Sequence, residues 1–486
     1  MKQFFSITLF LASFLFAHCF QIMPEDETLK KVDSYLSGIE KSGFYGSVLV
    51  ELNGKPVLSK GYGFSNEEKQ IKNLPASIFD IGSITKQFTA AAILKLEMQD
   101  KLSTNDKLAK FFDNVPEDKK NITIHDLLRH QSGLISNVGR DYERIDYEEF
   151  LNKVFSSSLR FESGTRFSYS NIGYSLLTMI IEKVSSQTYE DYLYENLWKP
   201  SQMEMTGYIR PWFDPNLIAV GYDRDNKAWG KPTEKEWDKT APYLHLKGNG
   251  GILSTTGDLY RWHKSLLSED ILSKEAKQKL YSPKLRPEES ETSFYGYGWD
   301  VLLTGRNTTR VWHNGSNNVF YADIMRYLDE EIVLIMLSNK FHPNFNGLNQ
   351  ELENIIFNLE YVPVIPPVDN ETNRSFTNRI INIIEEFGLD KAKEEFQKRN
   401  TNENLLEFMM QNEGFNYIDN KKPEIAIKVF EFNVFSYPNS AKALQYLGEG
   451  YMETGEKELA IKYFKQSLKI NPENPFAKDM IKELEE

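Results

Sequence analysis

From about residue 375 onward the chain repeats itself every 34 residues. Gly414 stands in register with Gly448, Tyr417 with Tyr451, Ala426 with Ala460, Phe430 with Phe464 and Pro438 with Pro472. A weaker earlier copy keeps Ala392 and Phe396 in register. A unit of this length holds two helices and their turns. The small residues let the pair approach, the aromatics fill the gap between them, and the proline ends the second helix. One such pair cannot bury its own apolar face, and an array that stands alone needs about three or more copies. With two clear copies and one decayed, this array is expected to dock on whatever precedes it.

What precedes it is different in kind. Tyr361-Val-Pro-Val-Ile-Pro-Pro-Val368 carries three prolines in eight residues, the composition of a stiff linker. The expected division is a leader over 1–19, one large domain over 20–360, a proline-rich linker over 361–370 and all-α repeats over 371–486. A chain of 486 residues has room for this at the usual ~100–200 residues per domain.

The leader reading rests on Lys2, the apolar run from Phe4 to Ala17 broken only by Ser6, Thr8 and Ser13, and the small residues before Cys19. This is the pattern of a secretory signal peptide, and it is too short for a membrane span, which needs ~20 residues. The expectation is an exported protein, periplasmic or secreted, with no transmembrane segment once the leader is removed. A lipid anchor on Cys19 is the alternative, and His18 is a poor neighbour for it. Cys19 is the only cysteine, so there is no internal disulfide and no cysteine-ligated metal. The net charge of −13, with no basic stripe, excludes a nucleic-acid partner.

Within 20–360, strands and helices separate. Gly46 to Leu52 alternates Val48, Val50 and Leu52, then Asn53-Gly54 turns the chain into a hairpin. Phe88–Leu96, Ile124–Leu128 and Ile172–Val184 have helical spacing, and Thr123 to Asp126 reads as a capping box for the second. Branched strands return at Thr309–His313, Val319–Tyr327 and Ile332–Leu337. Strands at both ends with helices between them make an α+β domain. Its antiparallel sheet should join first and last strands, beside a helical lobe.

No His-Glu-x-x-His, phosphate-binding loop or Gly-x-Ser-x-Gly is present, which points away from a metal enzyme and gives no reason to expect a cofactor. The chain's only Ser-x-x-Lys places Ser83 and Lys86 on one face at a helix start. A serine needs a base to become a nucleophile, and a buried lysine kept partly neutral can be one. The helix start would also offer the Ser83 N–H to a developing oxyanion. The plainer alternative is a capping serine beside an exposed lysine. Tyr169, drawn toward phenolate near a lysine, could shuttle protons, and Asn171 could orient the lysine or a substrate amide. His313-Asn314-Gly315 ends a strand, where glycine lets the backbone come close to a ligand.

Ser83-x-x-Lys86, Tyr169-x-Asn171 and His313-x-Gly315, in this order, resemble the penicillin-recognising serine hydrolases: class C β-lactamases, DD-peptidases and β-lactamase-fold esterases. Thr123 to Leu134, Gly248 to Ser254 and Tyr295 to Trp299 are similar to the same family, and the 34-residue units resemble tetratricopeptide repeats. The resemblance implies a β-lactamase/transpeptidase-like fold with Ser83 acylated and its proton shared by Lys86 and Tyr169. Asn171 would bond Lys86 and the acyl side chain, and the N–H groups of Ser83 and Ser316 would form the oxyanion hole. Many relatives have Lys-Thr-Gly where this chain has His313-Asn314-Gly315, and histidine is mostly neutral at pH 7. The expected substrate is a small-molecule or peptide ester or amide. The alternative is an inactive lobe retained for binding, with the repeats holding a protein partner or merely packing.

Weaker signals receive structural readings. Tyr194-Glu-Asn196 is expected on the surface, His125 and His130 in packing or capping, and Asp258 at a helix start capped by Thr255. Tyr208, Trp212, Tyr222, Trp229, Trp237 and Tyr243 are expected to pack on one another, with a substrate wall as the alternative. No acidic residue marks itself as a deacylation base.

Overall fold

The computed structural model describes residues 25–209, 213–237, 242–282, 293–342, 345–472 and 474–485. The leader at 1–19, with Cys19, and Trp212 lie outside these. Seven strands form the central sheet: β1 (Gly46–Leu52), β2 (Lys55–Tyr62), β3 (Ser293–Tyr295), β4 (Asp300–Leu303), β5 (Thr309–Ser316), β6 (Tyr321–Tyr327) and β7 (Ile332–Ser338). Their order is β2-β1-β7-β6-β5-β4-β3. The first and last strands meet as the sequence pattern requires, antiparallel, with Val48 opposite Met336.

Every residue of β1 is buried because both faces of the sheet are covered. Val48, Val50 and Leu52 point to one side, packing with Leu36 and Ile39 of α1 (Glu25–Lys41) and with Leu352 and Ile355 of α2 (Phe345–Phe357). Leu49 points to the other side, into the larger core shared with the helical lobe. At the centre of that lobe, the Thr85–Met98 helix is buried on every side, with Phe88 against Trp198 and Trp262. Ile124–Leu128 forms a short helix whose capping box of Thr123 and Asp126 is complete. Among the described residues no helix is long and apolar enough to cross a membrane.

The proline-rich segment is pinned rather than free. Tyr361 hydroxyl and Val364 N–H both donate to the Glu351 carboxylate, at 2.8 and 2.7 Å. Helix pairs follow: Glu371–Phe387 with Leu389–Gln397, Glu407–Asp419 with Pro423–Ser436, and Ala441–Glu453 with Lys457–Ile470. They dock on the first domain, where Ile470 packs on the cluster formed by α1 and α2. The repeat logic is visible in the packing. A Cβ on Gly414 would lie 2.2 Å from the Phe430 ring, and one on Gly448 would lie 2.8 Å from Phe464. Gly414→Val should therefore cost about 1–3 kcal/mol through overpacking. Circular-dichroism melting would show it as a lowered midpoint, and an unchanged midpoint would contradict this packing.

Candidate active site

A short strand pair, Phe79–Asp80 with Leu253–Ser254, leads into one 3-10 turn at Gly82–Ile84 and then into the Thr85–Met98 helix. This entry holds Ser83 half-exposed and Lys86 fully buried. The Lys86 Nζ lies 3.0 Å from Ser83 Oγ and donates to the Asn249 carbonyl at 2.7 Å. Among the described residues no carboxylate forms an ion pair with it, and burial pushes its pKa well below the usual lysine range, against a smaller opposing pull from Asp141. The alternative of an exposed lysine is excluded. A neutral amine at this distance from a hydroxyl can take its proton.

Tyr169 precedes the helix Asn171–Ser185, which Ser170 caps by accepting from Gly173 N–H. The Tyr169 ring centroid lies 4.8 Å from Lys86 Nζ, and its hydroxyl is hydrogen-bonded to Ser83. The phenolate expected from the sequence is not favoured. Burial pushes the phenol above its ordinary value, and the bond to Ser83 offsets only part of that. At rest the pair is a phenol and a low-pKa amine. His130 stacks under Tyr169 at 4.2 Å and accepts from Ser170 N–H at 3.0 Å through Nδ1. Its packing role is as expected.

Asn171 does not bond Lys86, which corrects the pairing that the resemblance implied. Its Nδ2 donates to Asn137 Oδ1 at 2.9 Å, because its backbone N–H bonds the Ser136 carbonyl and turns the side chain toward that loop. Its buried Oδ1 has no hydrogen-bond partner among the described residues. Lys86 is held instead by the Asn249 carbonyl, and Asn249 is fixed by its own Nδ2 donating to Ser175 Oγ and the His245 carbonyl.

Strand β5 brings His313, Gly315 and Ser316 to the same place. Gly82 has φ +49°, and a Cβ there would lie 2.5 Å from the Ser316 nitrogen. A Cβ on Gly315 would lie 2.0 Å from the Ile81 carbonyl oxygen and 2.8 Å from the Ser83 nitrogen. Two glycines thus let the strand end and the helix entry approach closely, each glycine lying against the backbone nitrogen of the other segment's serine, Ser316 or Ser83. Asp80 ties the two sides together: its carboxylate accepts from Gly82 N–H at 2.8 Å and from Asn317 Nδ2 at 2.9 Å. Burial pushes Asp80 up to about 6. His313 accepts or donates at Tyr295 hydroxyl at 2.9 Å, and its Nδ1 lies 2.6 Å from the Asn314 carbonyl. A carbonyl only accepts, so Nδ1 carries the proton and Nε2 accepts from Tyr295. Burial is the largest cause that pushes His313 down to about 3, so it is neutral at pH 7.

This geometry can be compared with known proteins. Residues 40–354, well over half of the chain, match the β-lactamase family model. The chain belongs to the β-lactamase family. A tetratricopeptide repeat model matches residues 441–474. Penicillin-binding protein 4* of Bacillus subtilis is 29% identical over 68% of this chain and 76% of its own length. Protein flp of Staphylococcus aureus is 28% identical over 68% of this chain and 66% of its own length. The octameric penicillin-binding protein homologue from Pyrococcus abyssi superposes with a TM-score of 0.58 at 27% identity, covering 73% of this chain and 82% of that one. A class C β-lactamase in complex with cefoxitin superposes at 0.59 with 19% identity, over 67% and 97%, and supports the fold alone.

In this β-lactamase-family protein, several groups beside Ser83 escaped the sequence reading. Asp80, the Asn249 carbonyl and Asn317 lie within or next to the family-like motifs, but nothing in those stretches marks a carboxylate clamp or a backbone acceptor. Asn137 and Asp141 sit on a loop with no periodic signal. Thr255 caps Asp258 as expected, and Tyr194 is exposed. The aromatic stretch divides. Trp237 packs on Tyr208 as expected, whereas Trp229 bridges Tyr142 and Phe320 beside the site.

Proposed function

We propose that the protein is a serine hydrolase that forms an acyl-enzyme on Ser83 and cleaves an ester or amide. The observation that carries this reading is the buried Lys86 amine, 3.0 Å from Ser83 Oγ and with no ion pair among the described residues. Lys86 takes the hydroxyl proton as Oγ attacks the carbonyl carbon. The oxyanion is received by the N–H groups of Ser83 and Ser316. Tyr169, a phenol at rest, donates its proton to the leaving oxygen or nitrogen and recovers one from the Lys86 ammonium. Water then attacks the acyl carbon, with Lys86 again neutral and able to accept its proton. The opposite displacements of the two pKa values divide acid from base.

The neutral His313 offers no fixed charge for a substrate carboxylate, so ester, amide or peptide cleavage is favoured over strong penicillinase action. We also read the chain as exported, from its leader pattern, with the docked repeats bracing the catalytic lobe. The direct test is intact mass after incubation with a fluorophosphonate, with peptide mapping. A single adduct on Ser83, absent from Ser83→Ala, is expected. A folded protein that takes no adduct would refute the mechanism.

Asp80 adds a pH signature. Protonating either oxygen weakens one of its two accepted bonds, so kcat/KM should fall as pH drops through about 6. Stability should move the other way. The folded pKa is raised above the ordinary 3.8, so between those values the folded state binds more protons and stability falls as pH rises. Asp80→Asn should be weakly active and lose this limb from the rate profile. A limb that survives in Asp80→Asn belongs to another group.

A further inference from the structure

The loop from Ser136 to Glu143 forms one wall of the site. Its start is tied to the Tyr169 segment: Ser136 Oγ donates to the Tyr169 carbonyl at 3.1 Å, and Asn137 accepts from Asn171. Its far end is held by Tyr142 against Trp229, whose ring packs on Phe320 beside the Asn317 turn. Asp141 lies between these anchors. It is partly exposed and has no hydrogen-bond or ion-pair partner among the described residues. Its charge raises the pKa of both Lys86 and Asp80, as a smaller contribution than burial.

We propose that Asp141 is a specificity-determining residue that selects substrates bearing an ammonium group near the scissile carbonyl and disfavours those bearing a carboxylate. This rests on the serine-hydrolase reading. Three features of the cavity agree. Burial holds His313 neutral at pH 7 and pushes the Lys86 amine well below the usual lysine range, which weakens the positive charge that competes for Asp141. Asn171 Oδ1 is a buried acceptor with no hydrogen-bond partner among the described residues, suited to a substrate N–H. An unpaired carboxylate in a largely desolvated wall gains a charge-assisted bond from an ammonium and repels an anion.

The phenyl esters of glycine, N-acetylglycine and N-succinylglycine differ in charge at one end only. Wild-type kcat/KM should rank them in that order. In Asp141→Asn the glycine-to-acetylglycine ratio should fall about tenfold, the worth of one charge-assisted bond, and the succinyl ester should improve relative to the acetyl ester. That crossover is not produced by a damaged fold. Labelling rates of Ser83 by phosphonates with aminoethyl, ethyl and carboxyethyl tails should show the same ranking without requiring turnover. Equal loss on all three esters, or a wild type indifferent to charge, overturns the assignment while the hydrolase reading stands. Accumulation of acyl-enzyme in Asp141→Asn with every ester would make Asp141 a deacylation base instead. If no phosphonate labels Ser83, the hydrolase reading fails and this one with it.

Discussion

Lys86→Met will fold, melt higher at pH 7 than the wild type, and hydrolyse esters about 10²–10⁴-fold more slowly. Methionine matches the unbranched lysine stem and tolerates an irregular core site, so packing survives. What disappears is the amine that, in the proposed mechanism, deprotonates Ser83. Ser83→Ala, which removes the nucleophile itself, should lose about 10⁴-fold or more. The stability gain follows from linkage. Burial lowers the folded pKa of Lys86 below the ordinary 10.5, so the unfolded state binds the extra proton and wild-type stability rises with pH across that interval. The methionine variant lacks that slope. Its advantage over the wild type should be larger at pH 7 and shrink as pH approaches 10.5. Thermal melts at several pH values would check this beside the kinetics. A variant that is inactive and also destabilised at every pH would mean that Lys86 acts as a structural donor to Asn249. Activity bought at the expense of stability is what a buried base in a well-packed helix implies.

The fold was largely legible because its determinants are local and periodic. Val48, Val50 and Leu52 alternate because one face of β1 packs on α1 and α2, and Asn53-Gly54 permits the turn. Gly414 and Gly448 are spaced by the register in which Phe430 and Phe464 fill the groove. Ser83 and Lys86 were legible for the same reason: a helix places positions three apart on one face. The rest depended on contacts between distant segments. That Lys86 answers to the Asn249 carbonyl rather than to Asn171 is set by how the 245–250 loop folds over the helix, and a backbone acceptor has no side-chain signature. The protonation of Tyr169 follows from burial among His130, Tyr295 and Lys86, which proximity alone did not predict. Asp80 and Asp141 are ordinary carboxylates in sequence. Only enclosure beside Asn317 in one case, and the lack of a hydrogen bond or ion pair among the described residues in the other, sets them apart.

Gly315→Ala should be nearly as damaging to turnover as losing the base, for a different reason. The added methyl would start 2.0 Å from the Ile81 carbonyl oxygen and 2.8 Å from the Ser83 nitrogen, and both are backbone atoms that no rotamer change can move aside. The end of β5 must therefore retreat by about 1 Å or more to reach van der Waals distance. Gly82 closes the opposite approach, with Ser316 N only 2.5 Å from where its own Cβ would be. Retreat separates the N–H groups of Ser83 and Ser316 while leaving Ser83 and Lys86 in place. Loss of one oxyanion donor costs about 10²–10³-fold in kcat, and a shift of about 1 Å alone can cost 10²-fold. The loss should fall on kcat rather than KM, since the developing oxyanion needs the gap and the ground-state carbonyl much less. Fluorophosphonate labelling should slow in parallel, because the phosphonyl oxygen occupies the same gap. If Gly315→Ala retains more than half of the wild-type kcat, the second donor is not Ser316 and the strand's close approach serves packing alone.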